Sequence, residues 1–356
     1  MKKTLLLVAA AVALVACSNE ETVHQSAPEA IGFDNAFVEN STRSVNDPSL
    51  TAATLTDFTV YGYVENAVLF DGTHVGKSVA NDDLASAWRY EGTQYWVAGA
   101  KYNFAAIAPN EGWSNVTTAV AGDKASISTN FAFVNDGETD LLYDEVENKA
   151  GLVEQNTAVG FEFRHILSKV KFSFLNGYNV ESAKIDVTNV KIENAYINAN
   201  VALTNAATTW SGWANDDLEL DFGFASDNEE TTGVKEDAAV TYAFGETYES
   251  LNELFLIPGA APSVTYEVED AEGNKSNVTK NAYKVSFDVN LYINGTKVNT
   301  NAYHHVAYVE LVPQAGYAYD IKAEITAANI DPEHAQEPIE FTVNTVGNWT
   351  EGTVNM

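Results

Sequence analysis

The chain has 356 residues, 46% of them hydrophobic, and sets 50 acidic side chains against 19 basic ones, a net charge of −31. A charge of that sign and size repels polyanions, so nucleic-acid binding and adsorption to anionic lipid head groups are excluded. The length exceeds one ordinary domain and points to two; with a single cysteine, each must stand on a hydrophobic core rather than on disulfides.

In chain order, Lys2 and Lys3 precede an uncharged, mostly apolar run from Thr4 to Ala16. That is the pattern of an export signal, and the run falls well short of the ~20 residues that span a bilayer. Leu14-Val15-Ala16-Cys17 resembles the bacterial lipobox, in which the cysteine becomes the acylated first residue, so Cys17 is the expected lipid anchor. Ser18-Asn19-Glu20-Glu21 then reads as an exposed acidic tether, similar to the tags that send lipoproteins to the surface of Gram-negative anaerobes.

The rest reads as strands. Tyr283 to Ile293 alternates apolar at odd positions and mostly polar at even ones, giving one buried and one wet face, and Asn294-Gly295 is a hairpin turn signal. Phe58–Tyr61, Tyr102–Phe104, Tyr317–Ile325 and Ile339–Val343 read the same way, separated by clusters of Asn, Asp, Gly and Thr. Only residues 80–87 carry a hint of helix, a turn or two at most. Within Phe161–Phe174 the apolar phase switches from odd (Phe161, Phe163) to even (Val170, Phe172, Phe174). A strand changes faces only through a bulge, a turn or a crossing between sheets, expected here around His165 to Ser168. A domain boundary is expected just before, at 155/156.

These pieces, in this order, resemble the fimbrillin family of Gram-negative gut and oral anaerobes. They are Ile31-Gly-Phe33 with Thr42-Arg43, Phe58-Thr-Val-Tyr-Gly62, Trp88-Arg-Tyr90 with Tyr95-Trp96, and Tyr102-Asn-Phe-Ala-Ala106 ending in Pro109. Phe163-Arg-His-Ile-Leu-Ser-Lys-Val-Lys-Phe172, the most specific of them, comes next, then Leu254-Phe-Leu-Ile-Pro258 and Gly316-Tyr-Ala-Tyr319. The resemblance implies an all-β chain of two transthyretin-like antiparallel β-sandwich domains. It implies a lipidated precursor, residues 1–16 being the signal peptide, held at the outer membrane. A surface protease cuts it after a basic residue, and other subunits join it by strand exchange in a surface fimbrium. On this plan residues 17–43 are tether and removable first strand, 44–155 the first sandwich, and 156–356 the second with a terminal donor segment.

The residues can be fitted to that scheme. Ile31, Phe33 and Phe37 share one parity and form the expected displaced strand, with Asn35 as a polar interruption. Of the three arginines, Arg89 and Arg164 sit in strand-like contexts, whereas Arg43 stands in the turn-rich stretch Asn40–Pro48. Arg43–Ser44 is therefore the expected cleavage bond, although a solvated loop arginine would look the same. Ile339, Phe341, Val343, Val346 and Trp349 are the expected knobs of the donor strand; on pattern alone, an ordinary last strand fits equally well.

No catalytic or phosphate-binding motif is present, no enzyme activity is expected, and no cofactor or metal either. His304-His305 would point to opposite faces of a strand, and His165 reads as a hydrogen-bonded core histidine. The acidic loops Asp136–Asp140 and Glu267–Glu272 lack the spacing of a calcium cage. The rival function is a permanently anchored glycan-binding lipoprotein, in which tryptophans, above all Trp210-Ser-Gly-Trp213, stack on sugars.

Overall fold

The computed structural model describes residues 29–33, 37–38, 49–51, 53–77, 88–150, 158–204, 207–215, 219–222, 240–243, 249–250, 253–269, 273–330 and 339–348. The expected signal peptide, Cys17, Arg43, Ser44, Trp349 and the helical hint at 80–87 lie outside them.

The first part of the chain forms β1 (Phe37–Val38), β2 (Asp57–Val64), β3 (Ala67–Lys77), β4 (Trp88–Tyr90) and β5 (Lys101–Ala108). It continues with β6 (Trp113–Val120), β7 (Ile127–Val134), β8 (Leu142–Ala150) and β9 (Glu162–His165). Next come β10 (Ser168–Gly177), β11 (Ala183–Ile192), β12 (Asn198–Thr204), β13 (Ala207–Ala214), β14 (Leu220–Asp221), β15 (Val240–Ala243) and β16 (Glu249–Ser250). The last part holds β17 (Leu254–Leu256), β18 (Ser263–Glu269), β19 (Lys275–Asn281), β20 (Tyr283–Ile293), β21 (Thr296–Lys297) and β22 (Tyr303–Val309). β23 (Tyr317–Thr326), the single helical turn α1 (Ala327–Ile330) and β24 (Phe341–Asn348) complete it. The protein is all-β. Alternation places the strands well: β20 has the expected bounds, and Asn294 and Gly295 turn it into β21 with positive φ at both positions.

Two layered units emerge. In the first, a seven-stranded sheet runs β1-β9-β8-β5-β2-β3-β4. One face holds an aromatic core of Phe58, Phe70, Trp88, Trp96, Tyr102, Phe104, Phe161 and Phe163. The other packs, through Tyr61, Ile107 and Tyr143, on a four-stranded sheet β13-β12-β7-β6 that supplies Phe131, Phe133, Val201, Leu203 and Trp210. In the second unit, a sheet of β16 and β17 beside β10, then β23 and β24, faces a sheet built on β11 and β20. Phe172, Phe174, Ile321 and Ile325 meet Ile185, Val187, Phe287 and Leu291 between them. Most pairings are antiparallel, but β10 runs parallel to β23, as β1 does to β9.

The phase switch is a crossing between sheets. β9 stays in the first unit, paired to β8, Ile166 and Leu167 bury themselves at the junction, and β10 enters the second unit. Residue 156 therefore does not divide the sheets. β9 comes after that position yet completes the first sheet, and the β12–β13 hairpin reaches back to pair with β7. At the crossing His165 Nδ1 lies 2.8 Å from Asp140 Oδ2, both side chains fully buried, and the same carboxylate oxygen accepts the Leu50 amide at 2.9 Å.

Between the first two sheets Tyr143 donates to Glu145 Oε2 at 2.5 Å, with the Arg164 guanidinium 5.1 Å from the Tyr143 ring centroid. Burial pushes the Glu145 carboxyl from 4.5 up to about 7, against the opposing pull of the Tyr143 hydroxyl and Arg164. Burial likewise raises Asp144 from 3.8 to about 6, opposed chiefly by the Glu162 amide. A carboxyl with a raised folded pKa binds more protons folded than unfolded. Its stabilising effect is full below the unfolded pKa and is lost as pH climbs through the folded one. The melting temperature should therefore rise on going from about pH 8 to about pH 5, and Glu145→Gln should flatten that rise; an unchanged pH slope in the variant would refute the assignment.

Candidate functional site

Residues 29–33 and 37–38 lie between the two margins of the seven-stranded sheet. On one side Trp96 N donates to Glu29 O at 2.9 Å, Ile31 N to Gln94 O at 2.7 Å, and Tyr90 Oη to Ile31 O at 2.8 Å. Ala30 bridges Tyr95 and Phe33 bridges Trp88, both antiparallel. On the other side Val159 N donates to Gly32 O at 2.8 Å, Phe33 bridges Val159 in parallel, and Phe37 and Val38 pair with Glu162 and Phe163. Phe33 touches both margins. The segment closes a sheet that would otherwise gape between β4 and β9.

The side chains obey the expected parity. Ile31 and Phe33 are buried, 1% and 5% exposed, while Gly32 between them is part-exposed. The Phe33 ring is surrounded by aromatics. It stacks on Phe161 at 6.0 Å and meets Phe58, Phe70, Tyr90 and Phe104 edge-on at 5.5–6.4 Å. Such edge contacts add to the apolar area already buried. Phe37 takes part through its backbone, and Asn35 lies outside the described residues. The backbone anchors at Gln94, Trp96 and Val159 escape a pattern-based reading because they sit in irregular turns with no alternation. The only cue is the aromatic density of Trp88–Trp96.

β24 is the outermost strand of its sheet, antiparallel to β23 from Ala323↔Phe341 to Tyr317↔Asn348. It starts two residues later than alternation suggests, at Phe341, with Ile339 just ahead of it, buried. Phe341 meets Phe172, Phe174 and Phe287 at 5.6–6.0 Å, and Val343 packs on the same core, while Glu340, Thr342 and Asn344 face solvent. Val346 lies on the strand by its backbone. The expected donor residues Ile339, Phe341 and Val343 thus serve their own sandwich here, and one edge of β24 is left without a strand neighbour among the described residues.

The other singled-out groups have structural partners. His304 is exposed, with Nδ1 2.8 Å from Asp288 Oδ1; His305 points inward, stacks on Phe287, and burial lowers its pKa to about 4. Asp136 caps its own loop, accepting the Glu138 and Thr139 amides and the Thr139 hydroxyl. Trp88, Trp96 and Trp210 are buried, and the indole N–H groups of Trp113 and Trp213 donate to the carbonyls of Pro109 and Pro258. Trp213 packs half-buried on the same core that holds Trp210.

The fimbrillin-like family profile matches residues 42–349. The chain belongs to the fimbrillin-like family. Among solved structures, a fimbrial protein from Bacteroides vulgatus is 17% identical and aligns over 90% of this chain and 99% of its own, with a TM-score of 0.52. A fimbrial assembly protein from Parabacteroides distasonis is 10% identical over 89% of this chain and 97% of its own, with a TM-score of 0.38. At such identities the first likeness speaks for the fold. No curated protein matches.

For this fimbrillin-like chain, Phe33→Ala should lower the unfolding free energy of the full chain by ~3–5 kcal/mol, as for other buried phenylalanines. Chemical denaturation would measure it. A loss under ~1 kcal/mol would mean that the segment does not seal the aromatic core.

Proposed function

We propose that this fimbrillin-like protein is a structural subunit of a surface fimbrium that supports adhesion, exported on a Cys17 lipid anchor and polymerised by β-strand exchange. One observation carries the reading: residues 29–33 and 37–38 fill a gap between two sheet margins and plug an aromatic pocket through Phe33. Cleavage after Arg43 by a surface protease would detach that plug from the body together with the lipid tether.

The physical consequence is direct. Without the segment, the Trp96 and Val159 amides and the Gln94 carbonyl lose their partners, and Phe58, Phe70, Tyr90, Phe104 and Phe161 line an open groove. Unpaired backbone at a sheet edge and bare aromatic surface are both costly in water, and a strand from a neighbouring subunit relieves both at once. The donor in this reading is the segment from Ile339 through Phe341, Val343 and Val346 to Trp349. Its described part is an edge strand, held on one side only, so it can leave without splitting a sheet. Phe341 would exchange one aromatic pocket for another. On this reading the chain stands at the outer membrane before cleavage and in the fimbrium after it, with like subunits as its partners.

The test is the N-terminal sequence and intact mass of protein sheared from the cell surface. A start at Ser44 in high-molecular-weight material is expected, and Arg43→Ala should leave a precursor of monomer size. An acylated Cys17 start on monomer throughout would overturn the reading.

A further inference from the structure

The four-stranded sheet turns a second, outward face away from the core, and that face is shaped. β6 and β7 pair at Ser114↔Ala132 and Thr117↔Asn130, so Asn115 and Val116 together oppose Phe131; Asn115 has φ 55°. On the opposite margin β12 and β13 pair at Asn198↔Ala214 and Asn200↔Ser211, so Gly212 and Trp213 oppose Ala199; Gly212 has φ 64°. Two bulges, one in each edge strand, flank the central β7–β12 pair. Bulges bend a sheet and re-aim side chains. Between them runs a groove of about 250 Å³ lined by Asn115, Asn130, Asn200 and Ser211, with the small Ala132 and Ala202 at its centre.

Its chemistry is unusual for this chain. The net charge is −31, yet no charged residue lines the groove. Asn115, Asn130, Asn200 and Ser211 are all exposed, and among the described residues no protein group hydrogen-bonds the amides of Asn130 and Asn200. The Asn115 amide reaches only the adjacent Ser114 hydroxyl, at 3.4 Å. A side chain at Gly212 would meet the Asn200 amide nitrogen at 2.8 Å, so the bare backbone there makes room for that amide. On the same face, Val134 is 54% exposed at the end of β7.

We propose that this groove binds an uncharged oligosaccharide. Each asparagine amide offers two donors and an acceptor, a match for neighbouring hydroxyls, and Val134 offers an apolar contact to a sugar's C–H face. A neutral ligand fits because no charged side chain in the groove offers an ion pair to a carboxylate or a cation, and the chain's field repels anions. An added peptide strand fits poorly. The groove crosses the middle of a sheet whose backbone groups already pair with each other, so recognition falls to side chains alone. The site deepens the adhesive reading above by naming a receptor class, but it is complete in the unassembled chain. A failure to polymerise leaves it untouched, and failure to bind sugar leaves strand exchange untouched.

The full chain would be applied to an array of neutral and sialylated oligosaccharides, and the strongest neutral glycan titrated by calorimetry. Retention on neutral glycans is expected. The double substitution Asn130→Ala with Asn200→Ala, both on an exposed face, should weaken it about tenfold or more without moving the melting temperature. Ala202→Trp, which keeps both amides but fills the groove, should abolish it. Retention of no neutral glycan, of sialylated glycans only, or undiminished binding by the double variant would overturn the proposal.

Discussion

A sheet cannot end in bare backbone beside a bare aromatic core, and the first unit of this protein is arranged around that constraint. Six of its seven strands, from β9 to β4, leave a gap between their two ends, and the chain fills it with its own early residues, β1 included, rather than with a hairpin. Phe33 is the point where the closure becomes energetic as well as geometric. Its backbone pairs with both margins, and its ring is held by aromatics from β2, β3, β4 and β5 and by Phe161. A plug joined to the later strands by a single stretch of chain is stable where it sits, and one cut in that stretch would leave it held by non-covalent contacts alone. An interior strand joined on both sides by tight turns would stay tethered after one such cut.

The two units are tied together more firmly than a linker would tie them. The β12–β13 hairpin belongs in sequence to the second sandwich and in space to the first, and Phe255, Ile257 and Ala318 join the same junction core as Phe133 and Trp210. The buried His165–Asp140 pair sits where the chain crosses over, and its carboxylate also fixes Leu50. Leu50 is therefore pinned to the body, a few residues beyond the stretch through which the early segment is connected. Loss of that segment need not loosen the strands beyond Leu50.

Much of this was legible from residue order, and the part that was not has a common cause. Alternation in Tyr283–Ile293 gave a strand with correct ends, and parity gave the inward pair Ile31 and Phe33. The phase slip in Phe161–Phe174 located the crossing within Ile166–Leu167. A period of two tells which side chains are inside, however, and not inside which core. The β12–β13 hairpin looks like any other, so nothing local reveals that it pairs with β7, and the expected boundary at 155/156 leaves β9, a strand of the first sheet, on the far side of it. The anchors at Gln94 and Val159, and the uncharged groove between two bulges, depend on irregular backbone, which pattern reading does not reach. In the Trp210–Trp213 motif the Trp210 indole is buried and Trp213 packs half-buried on the same core, while Ser211 between them is exposed.

The parallel pairing of β10 with β23 carries a consequence for how the molecule comes into being. Ser173 and Asp320, whose side chains bond at 2.5 Å across that pair, are 147 positions apart in the chain. β10 thus has no central partner until nearly the whole polypeptide is available, and the second core cannot close hairpin by hairpin. Topologies dominated by such distant contacts fold slowly because the loop must be closed before the contacts reward it. In the export route proposed above that delay would have a use: a polypeptide that cannot finish its core early remains thread-like for longer, the form in which it can be passed through a membrane.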